Sequence, residues 1–242
     1  MNLKTLKKYL ESARQITVIT GAGISVPSGI PDFRSSSGLY KSQNKNSVSP
    51  EEVLSRSYFF ANTVDFYDFY RNKMIYRNAL PNVAHYTIAK LETMGKVQGV
   101  ITQNIDGLHQ AAGSKNVVEL HGSINRNYCL KCGQFFNLDA VLDKDSVPYC
   151  ECGGLIKPDV VLYEEPLNEQ AINNALFILS ESDMLIVAGT SLLVNPAASL
   201  INYFRGKYFV IINLSNTPYD NYADLLIRAP LENVLTDDLL SE

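Results

Sequence analysis

Apolar residues recur along the chain in two patterns, one with helical spacing and one as short uninterrupted runs. Near the N-terminus Leu3, Leu6 and Leu10 share one face, with lysines on the other, which predicts a helix over 3–12. Helices are also predicted over 83–94 and 169–179. The uninterrupted runs predict buried strands over 16–20, 97–102, 117–120, 184–188 and 208–213. Such alternation predicts a doubly wound, Rossmann-like α/β fold with a parallel sheet.

Two stretches interrupt this alternation and predict a smaller second domain. Residues 35–81 open with a polar loop and continue into an aromatic-rich helical region. Residues 125–157 contain all four cysteines. We therefore expect one catalytic core with two parts. The large domain comprises residues 1–34, 82–124 and 158–242, and the two insertions form the small domain. The aromatic side chains are interpreted as core rather than as a ligand site.

Composition and charge exclude several classes of protein. The 242 residues are 46% apolar and 19% charged, which is typical of a folded globular protein. The formal net charge of −4 argues against a basic nucleic-acid surface. No apolar run approaches the roughly 18 residues of a membrane span, and the N-terminus lacks the pattern of a signal peptide. We therefore expect a cytoplasmic protein that binds neither nucleic acid nor membrane.

The cysteines form two close pairs, Cys129 with Cys132 and Cys150 with Cys152, separated by seventeen residues. In a reducing compartment such pairs are typical of zinc ligands rather than of disulfides. Two redox-active dithiols are the alternative, but nothing nearby resembles a thioredoxin-type site. Four thiolates fill a tetrahedral shell and leave no open position for water. The sequence therefore predicts one structural zinc ion.

A glycine loop, Gly21-Ala-Gly-Ile-Ser25, follows the first predicted strand directly, as in dinucleotide-binding folds. Dehydrogenases place a third glycine where this chain has Val26. The second strand and acidic residue that those enzymes need about twenty residues later are also missing. Instead the loop continues to Gly29-Ile-Pro-Asp-Phe-Arg34, which adds an acid, an aromatic ring and a guanidinium. This arrangement favours chemistry at the ribose over hydride transfer.

Polar residues also follow two later strands, at the sheet edge where ligands bind in this architecture. The segment Gln103-Asn-Ile-Asp106 follows one strand, and His121 ends another. Gly122 is expected to free space beside the His121 imidazole, whose unperturbed pKa near 6.5 suits a general base. The other histidines, His85 and His109, lie in helical segments and are interpreted as packing residues.

Six motifs, taken in order over essentially the whole chain, resemble the sirtuin family of NAD-dependent protein deacylases. They are GAGIS, GIPDFR, QNIDGLH, ELHGS, the paired cysteines and GTSL. The resemblance, to a minimal bacterial-type core, implies an NAD-dependent lysine deacetylase that acts on acylated proteins or peptides. In that reaction the acyl oxygen attacks the ribose as nicotinamide leaves, and His121 then helps a ribose hydroxyl attack the imidate. The products are nicotinamide, free lysine and O-acetyl-ADP-ribose.

The resemblance also assigns individual residues. His121 and Asn104 are the catalytic residues, with Asn104 orienting the ribose or a water molecule. Asp106 accepts a hydrogen bond from the nicotinamide carboxamide, and Phe33 covers the ribose. The residues expected to bind NAD are Gly21, Ala22, Gly23, Val26, Asp32, Phe33, Arg34, Gln103, Asn104, Ile105, Asp106, His121, Gly189, Thr190, Ser191, Asn213, Leu214 and Ser215. Those expected to bind a substrate peptide by strand addition are Val160, Val161, Leu162 and Tyr163.

Two short segments bear on how this chain differs from its relatives. Sirtuins often carry Phe-Gly-Glu after the peptide strand, whereas this chain reads Tyr163-Glu-Glu165, so the loop path is open. Members that prefer succinyl-lysine carry Tyr-x-x-Arg, whereas here Tyr70 stands three residues after Tyr67. Arg71 is one step further, about 100° around a helix, and is expected to point off the Tyr67 face. We therefore expect acetyl-lysine to be preferred.

Two other functions stay open at this point. NAD glycohydrolases and mono-ADP-ribosyltransferases use the same scaffold, although such relatives often lack the zinc module and peptide groove. A non-catalytic, zinc-bearing binding module is the third hypothesis. It has no need for His121, Asn104 and Arg34 together.

Overall fold

The structure, a computed structural model, describes residues 2–32, 48–142 and 147–240. The helices in these ranges are α1 (Asn2–Ser12), α2 (Pro50–Val53), α3 (Arg56–Ala61), α4 (Thr63–Lys73), α5 (Val83–Thr93), α6 (Leu108–Ala111), α7 (Asp139–Leu142) and α8 (Glu169–Ser180). The strands are β1 (Ile16–Thr20), β2 (Val97–Thr102), β3 (Val117–Glu119), β4 (Gly122–Cys129), β5 (Phe135–Phe136), β6 (Ile156–Val160), β7 (Met184–Ala188), β8 (Tyr208–Ile212) and β9 (Leu225–Ile227). No helix in the described part of the chain is both long and apolar enough to cross a membrane.

Six strands form one sheet in the order β3-β2-β1-β7-β8-β9, and all its neighbouring pairs are parallel. The order reverses between β1 and β7, which creates a topological switch point beside their carboxyl ends. Both central strands are buried at every position, as expected for a sheet with both faces covered. The predicted doubly wound α/β fold is confirmed.

Successive residues of the central strands pack on opposite faces of the sheet, as the pleat of a strand requires. Val18 belongs to the core on one face, with Leu10 of α1 and Ile88 of α5. The next residue, Ile19, belongs to the core on the other face, with Ile178 of α8. Each such side chain contributes about 1.5–3 kcal/mol by leaving water. The two cores fix the sheet and hold its carboxyl edge in place.

A second, three-stranded sheet has the order β5-β4-β6 and is antiparallel. A third core lies against it and combines Phe59 and Phe66 of the helical insertion with Ile156 of β6. Phe59, Phe66, Tyr67, Phe69 and Tyr70 are buried in it, which confirms their interpretation as core, whereas Phe60 is 49% exposed. The expected domain limits at 124/125 and 157/158 fall inside β4 and β6, which continue across them.

Candidate active site

A cleft of about 1010 Å³ lies at the carboxyl edge of the parallel sheet, a volume at the upper end of the range for ligand pockets. All the expected NAD- and peptide-binding residues that the structure describes line it. They are Gly21, Ala22, Gly23, Val26 and Asp32 after β1, Gln103 to Asp106 after β2, His121 after β3, Val160 to Tyr163 at β6, Gly189 to Ser191 after β7, and Asn213 to Ser215 after β8. Phe33 and Arg34 lie outside the described residues.

The glycine loop packs tightly against the end of β7. The Gly23 N–H donates to the Gly189 carbonyl over 2.8 Å, and the Gly21 N–H donates to the Ala188 carbonyl over 3.3 Å. A Cβ at Gly23 would lie 2.8 Å from the Gly189 Cα. These two amides are therefore bonded to the end of β7 and the residue after it, and the loop contains a 3₁₀ turn, Ala22–Ile24, with a second, Val26–Ser28, directly after it. Glycine at position 23 therefore allows this close backbone approach.

Asn104, Asp106 and Ser25 form a polar cluster in the cleft. The Asn104 side-chain amide donates to the Gly21 carbonyl over 3.2 Å and lies 3.1 Å from the Ser25 hydroxyl. That hydroxyl donates to the Asp106 carboxylate over 2.7 Å. Burial raises the pKa of Asp106, and hydrogen bonds from Leu108 and Ser25 oppose the rise. Asp106 also caps α6 through the Leu108 N–H. Ser25 was not among the expected binding residues, although it ends the GAGIS motif.

His121 is held in one orientation by the backbone of Gln103. Its Nδ1 lies 2.8 Å from the Gln103 carbonyl oxygen. A carbonyl only accepts, so Nδ1 carries the proton and Nε2 of the neutral ring has a lone pair. Burial lowers the pKa of His121, and the bond to Gln103 opposes the fall. The ring is therefore neutral at pH 7 and ready to accept a proton at Nε2.

The glycine beside this histidine is required by the pairing of two strands. Gly122 has φ of 75°, and a Cβ there would lie 1.8 Å from the Asp159 carbonyl oxygen. The close pairing of β4 with β6 therefore requires glycine.

A side chain that the sequence did not single out holds the loop after β8. Arg228 donates to the carbonyl oxygen of Asn213 over 3.0 Å and also to that of Ser215. The Asn213 side chain donates to the Ser215 carbonyl over 2.9 Å. Leu214 between them is 67% exposed beside the cleft. Nothing in the local pattern pairs Arg228 with residues thirteen to fifteen positions earlier.

The four cysteine sulfur atoms lie within 4.8 Å of one another. The Cys129 and Cys152 sulfurs are 3.5 Å apart, and those of Cys132 and Cys150 are 3.7 Å apart. A tetrahedral zinc site with Zn–S bonds near 2.3 Å places its sulfurs about 3.8 Å apart. A Cβ at Gly154 would lie 2.5 Å from the Cys129 sulfur, so the cluster is closely enclosed. The donor set and spacing fit the predicted structural zinc ion.

The segment after β6 pairs with the helical insertion and then turns back. Tyr163 donates its N–H to the Leu54 carbonyl and accepts from Arg56. The Glu165 N–H closes a turn on the Leu162 carbonyl over 3.0 Å. Glu164, at the third position of that turn, has φ of 73°, a conformation that favours glycine. Its carboxylate accepts from the Ser57 N–H at 2.8 Å and from the Ser57 hydroxyl at 2.9 Å. Where related proteins often have glycine, this chain therefore has Glu164, which has a strained backbone and is hydrogen-bonded to α3.

Replacing Glu164 with alanine should lower the free energy of unfolding by about 1 kcal/mol. The variant keeps the unfavourable φ and loses the charged hydrogen bonds to the first turn of α3. Glu164→Gly loses the same bonds but relieves about 1 kcal/mol of strain, so we expect its stability to stay near that of the wild type. Urea denaturation of the three proteins measures both effects. An alanine variant as stable as the glycine variant would contradict the strain argument.

Arg71 does not point off the Tyr67 face, contrary to expectation. Its guanidinium lies over the Tyr67 ring, 5.2 Å from the centroid. Residues four apart on a helix share a face, which explains the contact. However, the Tyr67 hydroxyl donates to the Ile156 carbonyl, and the Arg71 Nε donates to the Val141 carbonyl over 2.9 Å. Neither residue lines the cleft.

Comparison with known proteins places this site in a family. The Sir2 family model matches residues 21–196. The NAD-dependent protein deacetylase of Clostridium tetani is 55% identical over 234 residues, covering 96% of this chain and 95% of that protein. Its counterpart in Clostridium acetobutylicum is 53% identical over 235 residues, 96% of each chain. A solved structure of Sir2 with a deacetylated p53 peptide and 3′-O-acetyl-ADP-ribose has a TM-score of 0.89 at 38% identity, covering 97% of this chain and 96% of that one. The match over most of the chain shows that this protein belongs to the Sir2 family.

Proposed function

We propose that this protein is an NAD-dependent protein-lysine deacetylase that releases nicotinamide, free lysine and O-acetyl-ADP-ribose. The observation that carries the proposal is the orientation of His121. Its Nδ1 is bonded to Gln103, which leaves the Nε2 lone pair free to accept a proton, and His121 lines the same cleft as Asn104 and the glycine loop. The similar clostridial proteins are named for this activity. The similar Sir2 structure holds a deacetylated peptide and an acetyl-ADP-ribose.

The chain's own residues have separable tasks in this reaction. His121 Nε2 takes a proton from a ribose hydroxyl, while the Gln103 carbonyl stabilises the resulting imidazolium through Nδ1. Asn104, held by the Gly21 carbonyl, orients the ribose or a water. Asp106 and the loops after β7 and β8 bind the rest of the dinucleotide. Phe33 and Arg34 keep the roles implied by the resemblance. Zinc supplies structure when bound by the four thiolates.

The substrate in this proposal is a protein or peptide with an acetylated lysine, and it binds beside Val160 to Tyr163. Strand addition at the cleft would bind it mainly through the backbone. We further propose that the protein acts in the cytoplasm, where thiolate zinc ligands stay reduced. Nucleic acid and membrane have no part in this proposal. We also propose that the chain is divided into a Rossmann-like domain and a small zinc-bearing domain, as the sequence predicts.

The test is whether nicotinamide release from NAD requires an acetylated peptide. Purified protein with NAD and an acetyl-lysine peptide should release nicotinamide and deacetylated peptide in equal amounts. The same peptide without the acetyl group is the control and should release none. Nicotinamide release without any peptide would favour an NAD glycohydrolase, and transfer of ADP-ribose to the peptide would favour an ADP-ribosyltransferase. Absence of NAD consumption under all conditions would favour a binding module.

Acetyl-lysine should be turned over at least about 10²-fold more efficiently than succinyl-lysine. Arg71 contacts Tyr67 and Val141 outside the cleft. At the arginine position of the Tyr-x-x-Arg motif this chain has Tyr70, which carries no positive charge. A succinyl carboxylate left unpaired in an apolar pocket costs several kcal/mol, and each 1.4 kcal/mol is about tenfold. Values of kcat/KM for two peptides that differ only in the acyl group measure this. Equal values would show that Arg71 leaves Tyr67 and reaches the acyl group.

A further inference from the structure

Two imidazoles of unassigned role lie together beneath the cleft. His85 of α5 and His109 of α6 are 0% and 1% exposed, and their ring centroids are 4.9 Å apart at 61°. His85 Nε2 and His109 Nδ1 have no hydrogen-bond partner within the described residues. Buried polar atoms are rarely left unpaired. The protonation of each ring therefore has to be worked out from its remaining hydrogen bonds.

The hydrogen bonds around His109 determine which of its nitrogens carries the proton. The Thr20 hydroxyl donates its hydrogen to the Thr102 hydroxyl over 2.9 Å. Since a hydroxyl has one hydrogen, its contact with His109 Nε2, also at 2.9 Å, must be donated by the ring. Burial lowers the pKa of His109 to about 3, so the ring is neutral. His109 Nδ1 is therefore an acceptor.

The same reasoning gives the opposite requirement at His85. The Asn82 backbone N–H points at His85 Nδ1 over 3.4 Å, so that nitrogen accepts. Burial lowers the pKa of His85 to about 4, so this ring is also neutral and its proton is on Nε2. The two unpartnered atoms are thus one donor, on His85, and one acceptor, on His109, in neighbouring rings.

We propose that His85 and His109, both neutral and protonated at Nε2, position Asn104 by linking the two loops of the cleft through the edge-to-face contact of their rings. At one end, the Asn82 side chain donates to the Ile24 carbonyl and to the Ser28 hydroxyl, both over 2.8 Å. This end holds the segment that follows the glycine loop.

At the other end, His109 Nε2 donates to the Thr20 hydroxyl, and that hydroxyl donates to the Thr102 hydroxyl. The Thr102 hydroxyl accepts from the Asn104 backbone N–H over 3.0 Å. His85 and His109 touch no reacting atom and are positioning residues. The catalytic part of this inference rests on the proposed function, because it assumes that Asn104 acts on the ribose.

The protonation pattern is tested directly by NMR on the wild-type protein with ¹⁵N-labelled histidine rings. The chain has three histidines, so long-range ¹H–¹⁵N spectra at pH 7 stay simple, and single variants assign them. We expect His85 and His109 each to show a protonated Nε2 and an unprotonated Nδ1. A proton on Nδ1 of either ring, or a doubly protonated ring, would overturn the proposal. This result is independent of whether the protein deacetylates anything.

The positioning role is tested by steady-state kinetics with NAD and an acetylated peptide. His109→Phe removes the donor to Thr20 and should lower kcat/KM for NAD about tenfold, since small misplacements near reacting groups cost up to about 10². His109→Gln keeps an N–H donor and should recover part of the loss. Thr87→Val is the matched control, because Thr87 is also buried on α5 but donates to the Leu235 carbonyl.

All variants are compared at a temperature where each is folded by circular dichroism. Kinetics for His109→Phe and His109→Gln that match Thr87→Val would overturn the positioning role and leave only packing. If His109→Phe does not fold, His109→Gln and the NMR result decide. A wild-type protein without deacetylase activity would instead refute the proposed function, and the protonation result would still stand.

Discussion

Replacing His121 with alanine should lower the rate of deacetylation by about 10²-fold or more, the usual scale for a positioned acid–base group. In the structure the ring is fixed by the Gln103 carbonyl, so that Nε2 is the atom left to accept a proton. NAD binding should survive, because the glycine loop and Asn104 are held by contacts that do not involve His121. Turnover and NAD affinity measured on the same preparation separate these effects. Near-normal turnover would refute His121 as the base.

The same assignment predicts how activity depends on pH. The base must be neutral to act, and burial lowers its pKa below the ordinary value of 6.5. Activity should therefore decline in acid with a midpoint below pH 6.5, as the ring takes up a proton. The residual activity of the alanine variant should lack this acid limb. An acid limb that persists in His121→Ala would assign the titration to another group.

Removing zinc with a chelator, or replacing Cys129 with alanine, should unfold the three-stranded sheet and abolish activity. Binding by four thiolates contributes on the order of 10 kcal/mol to the folding of small zinc sites. β4 carries this loss to the cleft, because it ends at Cys129 and begins beside His121. Metal content, circular dichroism and turnover, measured together, give the result.

A matched control for the zinc prediction is Tyr128→Ala. Tyr128 precedes Cys129 on the same strand and is 37% exposed, but it holds no metal. This variant should keep its zinc and most of its activity. Active wild-type protein that contains no zinc would contradict a structural role for the metal.

The parallel sheet could be predicted because its strands are short, buried and apolar on both faces. The bounds of β1, β2 and β7 match the predicted ranges, while β3 and β8 end one residue early. The three-residue strand β9 was not predicted. The second sheet was missed because polar residues and a register shift interrupt the pairing of β4 with β6.

The residues that line the cleft could be predicted because motifs mark the ends of strands, but their partners could not. Arg126 joins Glu119 at 2.6 Å and Asp159 at 2.7 Å, an ion-pair network that links β3, β4 and β6. Such pairs depend on how distant strands meet. The direction of Arg71 was wrong for a simpler reason. The 100° step was counted from Tyr70, whereas the fourth residue after Tyr67 lies only about 40° around the helix from it and shares its face.

The strand that connects the base with the metal also keeps their charges apart. Eight residues of β4 at about 3.3 Å each span roughly 26 Å, several times the screening length of about 8 Å at physiological salt. The negative charge of a zinc–thiolate centre therefore has little effect on the protonation of the His121 imidazole. The link between the two is mechanical and not electrostatic. A substitute ion that keeps the tetrahedron would change how firmly the strand is anchored and leave the proton affinity of the base untouched.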